Sequence, residues 1–147
     1  GTEEPDNLLL LFVQAQLVGQ APGRVEAGET HRPFSGAAGA RLFRWLQAAG
    51  WPEAEARARF YITSITKCFP GANGSGRGDR APSQAERLLC ASWLEAEVAL
   101  VDPAVVVPVG ALAASVFLGP ERKLVDVVGQ RFQVEGRIIV PLPHPSG

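Results

Sequence analysis

What is scarce in this chain of 147 residues already narrows what it can be. There are two cysteines, Cys68 and Cys90, too few for the disulfide framework of a small secreted scaffold. With only two histidines beside them, His31 and His144, a zinc site of ordinary ligand spacing is not expected. Basic charge is not in excess: 14 Lys and Arg stand against 15 Asp and Glu, a net charge of −1. The global signature of a nucleic-acid binder is therefore missing, and any such contact must be a local patch. No apolar run approaches the roughly 20 residues of a membrane span. The best one, Leu8 to Val13, follows Glu3, Glu4 and Asp6 and lacks the basic flank of a signal peptide. A soluble, cytoplasmic, monomeric protein is the expectation. There is no Gly-x-x-x-x-Gly-Lys-Ser/Thr phosphate loop. Gly19-Gln20-Ala21-Pro22-Gly23 lacks the third glycine of a dinucleotide fingerprint, and Pro22 removes a backbone donor. Methionine is absent. Gly1 is thus not an initiator residue, and Pro143-His144-Pro145-Ser146-Gly147 reads as a loop cut in its middle. One domain over residues 1–147, truncated at both ends, is expected.

What is present is ordinary globular composition, 46% hydrophobic and 20% charged. Leu8–Val18 is apolar and runs into a Gly/Pro turn, as a buried strand does. A polar loop covers Arg24–Pro33. From Ala37, the spacing of Leu42, Phe43, Trp45, Leu46 and Ala49 predicts a helix that Gly50 ends. Phe60–Thr66 has strand composition. A Gly/Arg/Ser-rich loop fills Pro70–Pro82. Ser83 with Glu86 forms a capping box, opening a helix with Ala85, Leu88, Leu89, Trp93, Leu94 and Val98 that stops near Asp102-Pro103. Ala104–Gly110 reads as a strand buried on both faces, with Pro108 near its end. A short helix over Ala111–Phe117 follows, then a bend and a short extra strand within Leu124–Glu135, then a last strand over Arg137–Leu142. This alternation predicts an α/β fold: a three-layer sandwich, helices on both faces of a mostly parallel twisted sheet of about four strands. Ligands of such sheets bind beyond the carboxyl ends of the strands. The loops Gly19–Pro33, Ser64–Pro82 and His144–Gly147 should converge there.

Individual residues leave alternatives open. Cys68 and Cys90 are either two small, partly buried side chains or half of a cluster site whose other half lies outside the chain. His144, between two prolines, sits on a stiff loop at a strand's carboxyl end, a place for function as well as for solvent. His31 reads as an exposed loop residue. Phe34, among small residues, is either a plug over the core or a stacking platform for a planar ligand.

Taken together, Gly19-Gln20-Ala21-Pro22-Gly23-x-x-Glu26, Arg32-Pro33-Phe34-Ser35-Gly36-x-Ala38-Gly39, Tyr61-Ile62-Thr63-Ser64-Ile65-Thr66-Lys67-Cys68 and Pro143-His144-Pro145-Ser146 occur in order from near the start of the chain to its end. In order and spacing they resemble the uracil-DNA glycosylase superfamily, and its iron–sulfur, family 4 branch in particular. The resemblance implies a DNA repair enzyme that hydrolyses the N-glycosidic bond of uracil, or of a related deaminated base, flipped out of DNA. It implies that Phe34 stacks on the base and that His144 stabilises the departing base as negative charge develops. It implies that the turn Gln20, Ala21, Pro22, Gly23 contacts the base and positions water. Glu26 matches an acidic residue of the extended motif. Lys67, Arg77, Arg80 and Ser146 are the implied DNA contacts. Cys68 and Cys90 fall where the branch places its second cysteine pair. A 4Fe-4S cluster would need a first pair in a longer native chain.

Two positions depart from the pattern. Gln20 stands where the iron–sulfur branch has Glu, so the turn holds an amide in place of a base. Ser64 stands where the family has a base-reading Asn, and offers one hydroxyl for a two-point amide. These departures motivate an alternative: a weak or inactive glycosylase-fold protein that binds damaged or single-stranded DNA. A third reading is an α/β enzyme acting on a free nucleobase or nucleoside.

Overall fold

The computed structural model describes residues 15–75 and 78–145. The part of the predicted first strand before Ala15, together with Arg77 and Ser146, lies outside the described residues. Within them, β1 (Ala15–Gly19), β2 (Phe60–Ser64), β3 (Val105–Pro108), β4 (Phe132–Val134) and β5 (Arg137–Ile139) form one sheet in the order β2-β1-β3-β5-β4. The pairs β1–β2, β1–β3 and β3–β5 are parallel; β4 and β5 are antiparallel. Five strands rather than about four result, the fifth being the short β4 at the edge. It is joined to β5 through Glu135 and Gly136, whose positive φ values of 50° and 80° suit a tight hairpin turn.

Helices cover both faces. Those described are α1 (Ala37–Ala48), α2 (Glu53–Arg59), α3 (Gln84–Val101), α4 (Ala111–Leu118) and the one-turn α5 (Leu124–Val127). Period-two alternation sorts the core. Val18, Val106 and Ile139 point to one face, against Leu94 of α3 and Ala113 of α4. Leu17 and Val109 join Leu42 of α1 on the other face. Each fully buried Leu, Val or Ile contributes about 1.5–3 kcal/mol, and these two clusters make the three layers. None of the described helices is long and apolar enough to cross a membrane.

The capping box that opens α3 is formed in both directions. Glu86 also receives the Arg80 guanidinium, which is the main cause of its carboxyl being lowered to about 2. The apolar residues of α3 do not all reach the core. Leu94 is buried, whereas Leu88, Leu89 and Trp93 are 69%, 77% and 66% exposed.

α2 was not foreseen. It carries no large apolar residue and buries only Ala56, so its sequence has no hydrophobic period to read. A single turn of π-helix, Glu26–Thr30, also sits inside the expected polar loop.

Sheet register fixes the functional edge. Gly19 aligns with Ser64, Val18 with Pro108, and Val109 bridges to Leu142. The carboxyl ends of β1, β2 and β3 and the segment after β5 therefore finish on one line, and His144 follows two residues later.

Candidate active site

The first two of these loops and His144 meet in an open cleft of about 1350 Å³ at that edge, lined among others by Gly19–Ala27, His31–Phe34, Thr63, Ser64, Lys67, Cys68, Asp79, Arg80 and His144. Small-ligand pockets run roughly 300–1,000 Å³, so this one has room for more than a free base.

Backbone hydrogen bonds stitch the loops together. Ile65 N–H donates to Gly19 O at 2.9 Å, and Thr66 N–H to Gln20 O at 3.2 Å. Glu26 spans the first two motifs: it accepts from Gly23 N–H at 2.9 Å and from Gly36 N–H at 2.8 Å. Both its oxygens are thereby used, and its visible role is that of a strut between loops. Gln20 makes no side-chain hydrogen bond among the described residues, so its amide is available to a ligand or a water.

Phe34 stands between the core and the cleft. It packs against the Leu17–Leu42–Val109 cluster and also lines the cleft. Its backbone is left-handed, φ 54°, a strained state for a bulky residue costing of order 1–3 kcal/mol. Two contacts hold it there. Arg57 of α2 donates to Pro33 O at 2.7 Å and to Phe34 O at 3.0 Å. Gly39 of α1 lets the loop come close: a Cβ there would fall 1.8 Å from the Phe34 carbonyl oxygen. The ring tip rests over Gly19, where a Cβ would lie 2.6 Å from Phe34 Cζ. Sequence reasoning missed Arg57 because α2 was missed.

His144 stands beside Gly110, whose φ of 91° turns the chain after β3; a Cβ there would lie 3.0 Å from His144 Cδ2. Burial against the cleft wall pushes the imidazole pKa below its ordinary value, so the ring is neutral at pH 7. Ser64 donates its hydroxyl to Thr66 O, leaving its oxygen lone pairs for other partners.

The predicted cations are differently employed. Lys67 donates to Thr63 Oγ1, Ser64 O and Glu97, using all three ammonium hydrogens. Glu97 in α3 also accepts from Tyr61 at 2.9 Å. Burial alone would raise its carboxyl, but these hydrogen bonds and the Lys67 charge outweigh it and hold the pKa low. Arg80 donates to Pro70 O and to both oxygens of Glu86, so it ties down its own loop. Arg24 and Arg32, not singled out from sequence, line the same cleft. Their guanidinium groups take no partner among the described residues.

Cys68 is an exposed free thiol on the cleft wall, and Cys90 a partly buried free thiol on α3. An iron–sulfur cluster takes four thiolates. No group of three or more His, Cys, Asp or Glu among the described residues is placed to hold a metal. Two lone thiols among the described residues do not make up such a ligand set.

The profile described as Uracil DNA glycosylase superfamily matches residues 13–147. The chain belongs to the uracil-DNA glycosylase superfamily. A Type-4 uracil-DNA glycosylase of Thermotoga maritima is 34% identical over 131 residues, covering 88% of this chain and 62% of that protein. A Type-4 uracil-DNA glycosylase of Archaeoglobus fulgidus is 37% identical over 99 residues, 66% of this chain and 43% of that protein. A Type-5 uracil-DNA glycosylase of Thermus thermophilus is 32% identical over 128 residues, 80% of this chain and 52% of that protein. This member of the superfamily thus spans about half the length of the curated relatives it matches. The two type-4 relatives support the family 4 branch.

Proposed function

We propose that the protein is a DNA repair glycosylase, releasing uracil or a related deaminated base flipped out of DNA. The observation that carries this is convergence. Gln20 and its turn, Phe34, Ser64 and His144 come from four distant stretches of sequence and line one cleft. The relatives' names favour an enzyme over a binding-only module. DNA is the proposed partner, the protein acting as a cytoplasmic monomer.

In this mechanism the extruded base stacks on Phe34. The neutral His144 ring donates an N–H to a base oxygen as the glycosidic electrons move onto the base. Gln20 holds a water near the sugar carbon, and Ser64 supplies one polar contact to the base edge. Arg24 and Arg32 take flanking phosphates, which reconciles a DNA substrate with a net charge of −1.

The test is alkali cleavage of labelled oligonucleotides carrying a single uracil, hypoxanthine or xanthine. Strand cleavage at the lesion supports the reading. Gel-shift binding without base release, or release from free nucleosides but not from DNA, contradicts it.

Two further outcomes are expected. Because His144 is depressed and works as a neutral donor, the rate of release should stay level from pH 7 to 8.5. A role requiring imidazolium would make it fall steadily over that range, which a pH–rate profile distinguishes. Gly19→Ala should push the Phe34 ring from its seat. Aromatic stacking is worth about 0.5–1.5 kcal/mol, so single-turnover release should slow by up to about tenfold while the melting temperature changes little.

A further inference from the structure

We infer that Asp79 is the carboxylate that orients the attacking water and faces the positive charge developing on the sugar. This inference rests on the glycosylase reading above. The first-motif turn brings no carboxylate of its own, since it carries Gln20 and Ala21. Glu26, the acid next along the chain, has both oxygens committed to the backbone amides of Gly23 and Gly36. It braces two loops and has little left for a water.

Asp79 differs on each count. It lines the same cleft and reaches the same turn: a Cβ on Gly23 would lie 3.2 Å from Asp79 Oδ2. Its carboxylate takes no hydrogen bond or ion pair among the described residues. Its main chain, by contrast, is pinned. Ala72 and Asp79 form an antiparallel bridge. Asn73 N–H donates to Gly78 O at 2.9 Å, and Arg80 N–H to Gly71 O at 2.8 Å. The next residue, Arg80, is locked to Pro70 O and Glu86. The described parts of the loop after β2 therefore fold back on each other and hold in place a carboxylate with no partner among the described residues.

Charge says what it is for. An unpaired carboxylate beside phosphates weakens binding of the ground state. The same charge lowers the barrier where positive charge appears only in the transition state. Hydrolysis of a glycosidic bond creates such charge, as the sugar acquires oxocarbenium character. The C1′–N bond breaks, and its electron pair leaves with the base, whose oxygen His144 holds. A water oxygen forms the new C1′–O bond. The proton it loses passes to the Asp79 carboxylate and from there to solvent or to the departed base.

The experiment compares wild type, Asp79→Asn, Asp79→Glu and His144→Ala as full chains. Single-turnover release of uracil is measured alongside affinity for an oligonucleotide carrying a non-cleavable uracil analogue. Asp79→Asn should slow release on the order of 10²-fold with affinity unchanged or tighter and an unchanged melting curve. Asp79→Glu should recover part of the rate. Wild-type rate in Asp79→Asn overturns the inference, as does a rate loss matched by an equal loss of affinity. If Asp79→Asn is fast while His144→Ala is slow, only the Asp79 inference falls. If wild type releases no base at all, the glycosylase reading itself falls.

Discussion

Replacing His144 by Ala should slow base release by about 10²–10³-fold, the usual consequence of removing one donor from a site where negative charge develops. Affinity for uracil-containing DNA should change far less. In the proposed mechanism His144 acts where charge appears in the transition state, whereas ground-state binding would come from stacking and phosphate contacts. The measurement is single-turnover release set beside fluorescence anisotropy on the same oligonucleotide. The fold should survive: His144 lies on a loop past the bridge between Val109 and Leu142, outside the strands of the sheet. A variant that loses rate and affinity in equal measure would place His144 in binding instead.

The largest structural effect is expected at Gly39. In Gly39→Ala the new methyl would land 1.8 Å from the Phe34 carbonyl oxygen, which Arg57 holds from the other side. Neither the loop nor α1 can yield without loosening the Leu17–Leu42–Val109 cluster. Overpacking of this kind costs about 3 kcal/mol, a fall in melting temperature on the order of 10 °C. Release of base should fall too, because Phe34 is displaced. Gly28→Ala is the contrasting case. A Cβ there meets nothing within 4 Å, so both melting temperature and activity should stay near wild type. Equal behaviour of the two variants would show that the seat of Phe34 is not tightly packed.

Legibility followed the strength of the local signal. β3 was readable because Val105, Val106 and Val107 form an unbroken apolar run, and α1 because Leu42, Phe43 and Leu46 repeat at helical spacing. The start of α3 was readable because Ser83 and Glu86 announce it by type and separation. The convergence of the first two loops and His144 followed from the alternation of elements. α2 gave no signal, since Glu53–Arg59 is alanine and charge; Arg57 matters through contacts to Pro33 and Phe34, far away in sequence. α3 misled in part, because Leu88, Leu89 and Trp93 satisfy a helical period yet face solvent. The employment of charges was also beyond the sequence. Lys67 and Arg80 read as phosphate contacts, and the structure adds that each also pairs with a carboxylate, Glu97 and Glu86, while Arg24, Arg32 and Asp79 have no side-chain partner among the described residues. Which charges pair is a matter of tertiary geometry, and composition carries none of it.

The most direct test of the proposed mechanism is a crystal structure of the protein bound to an oligonucleotide carrying a non-cleavable uracil analogue. The base is expected flipped into the cleft at the carboxyl edge of the sheet. Its ring should lie on Phe34, one carbonyl should face His144, and the flanking phosphates should sit near Arg24 and Arg32. A base left stacked in the DNA, or DNA lying on the exposed face of α3 with the cleft empty, would contradict it.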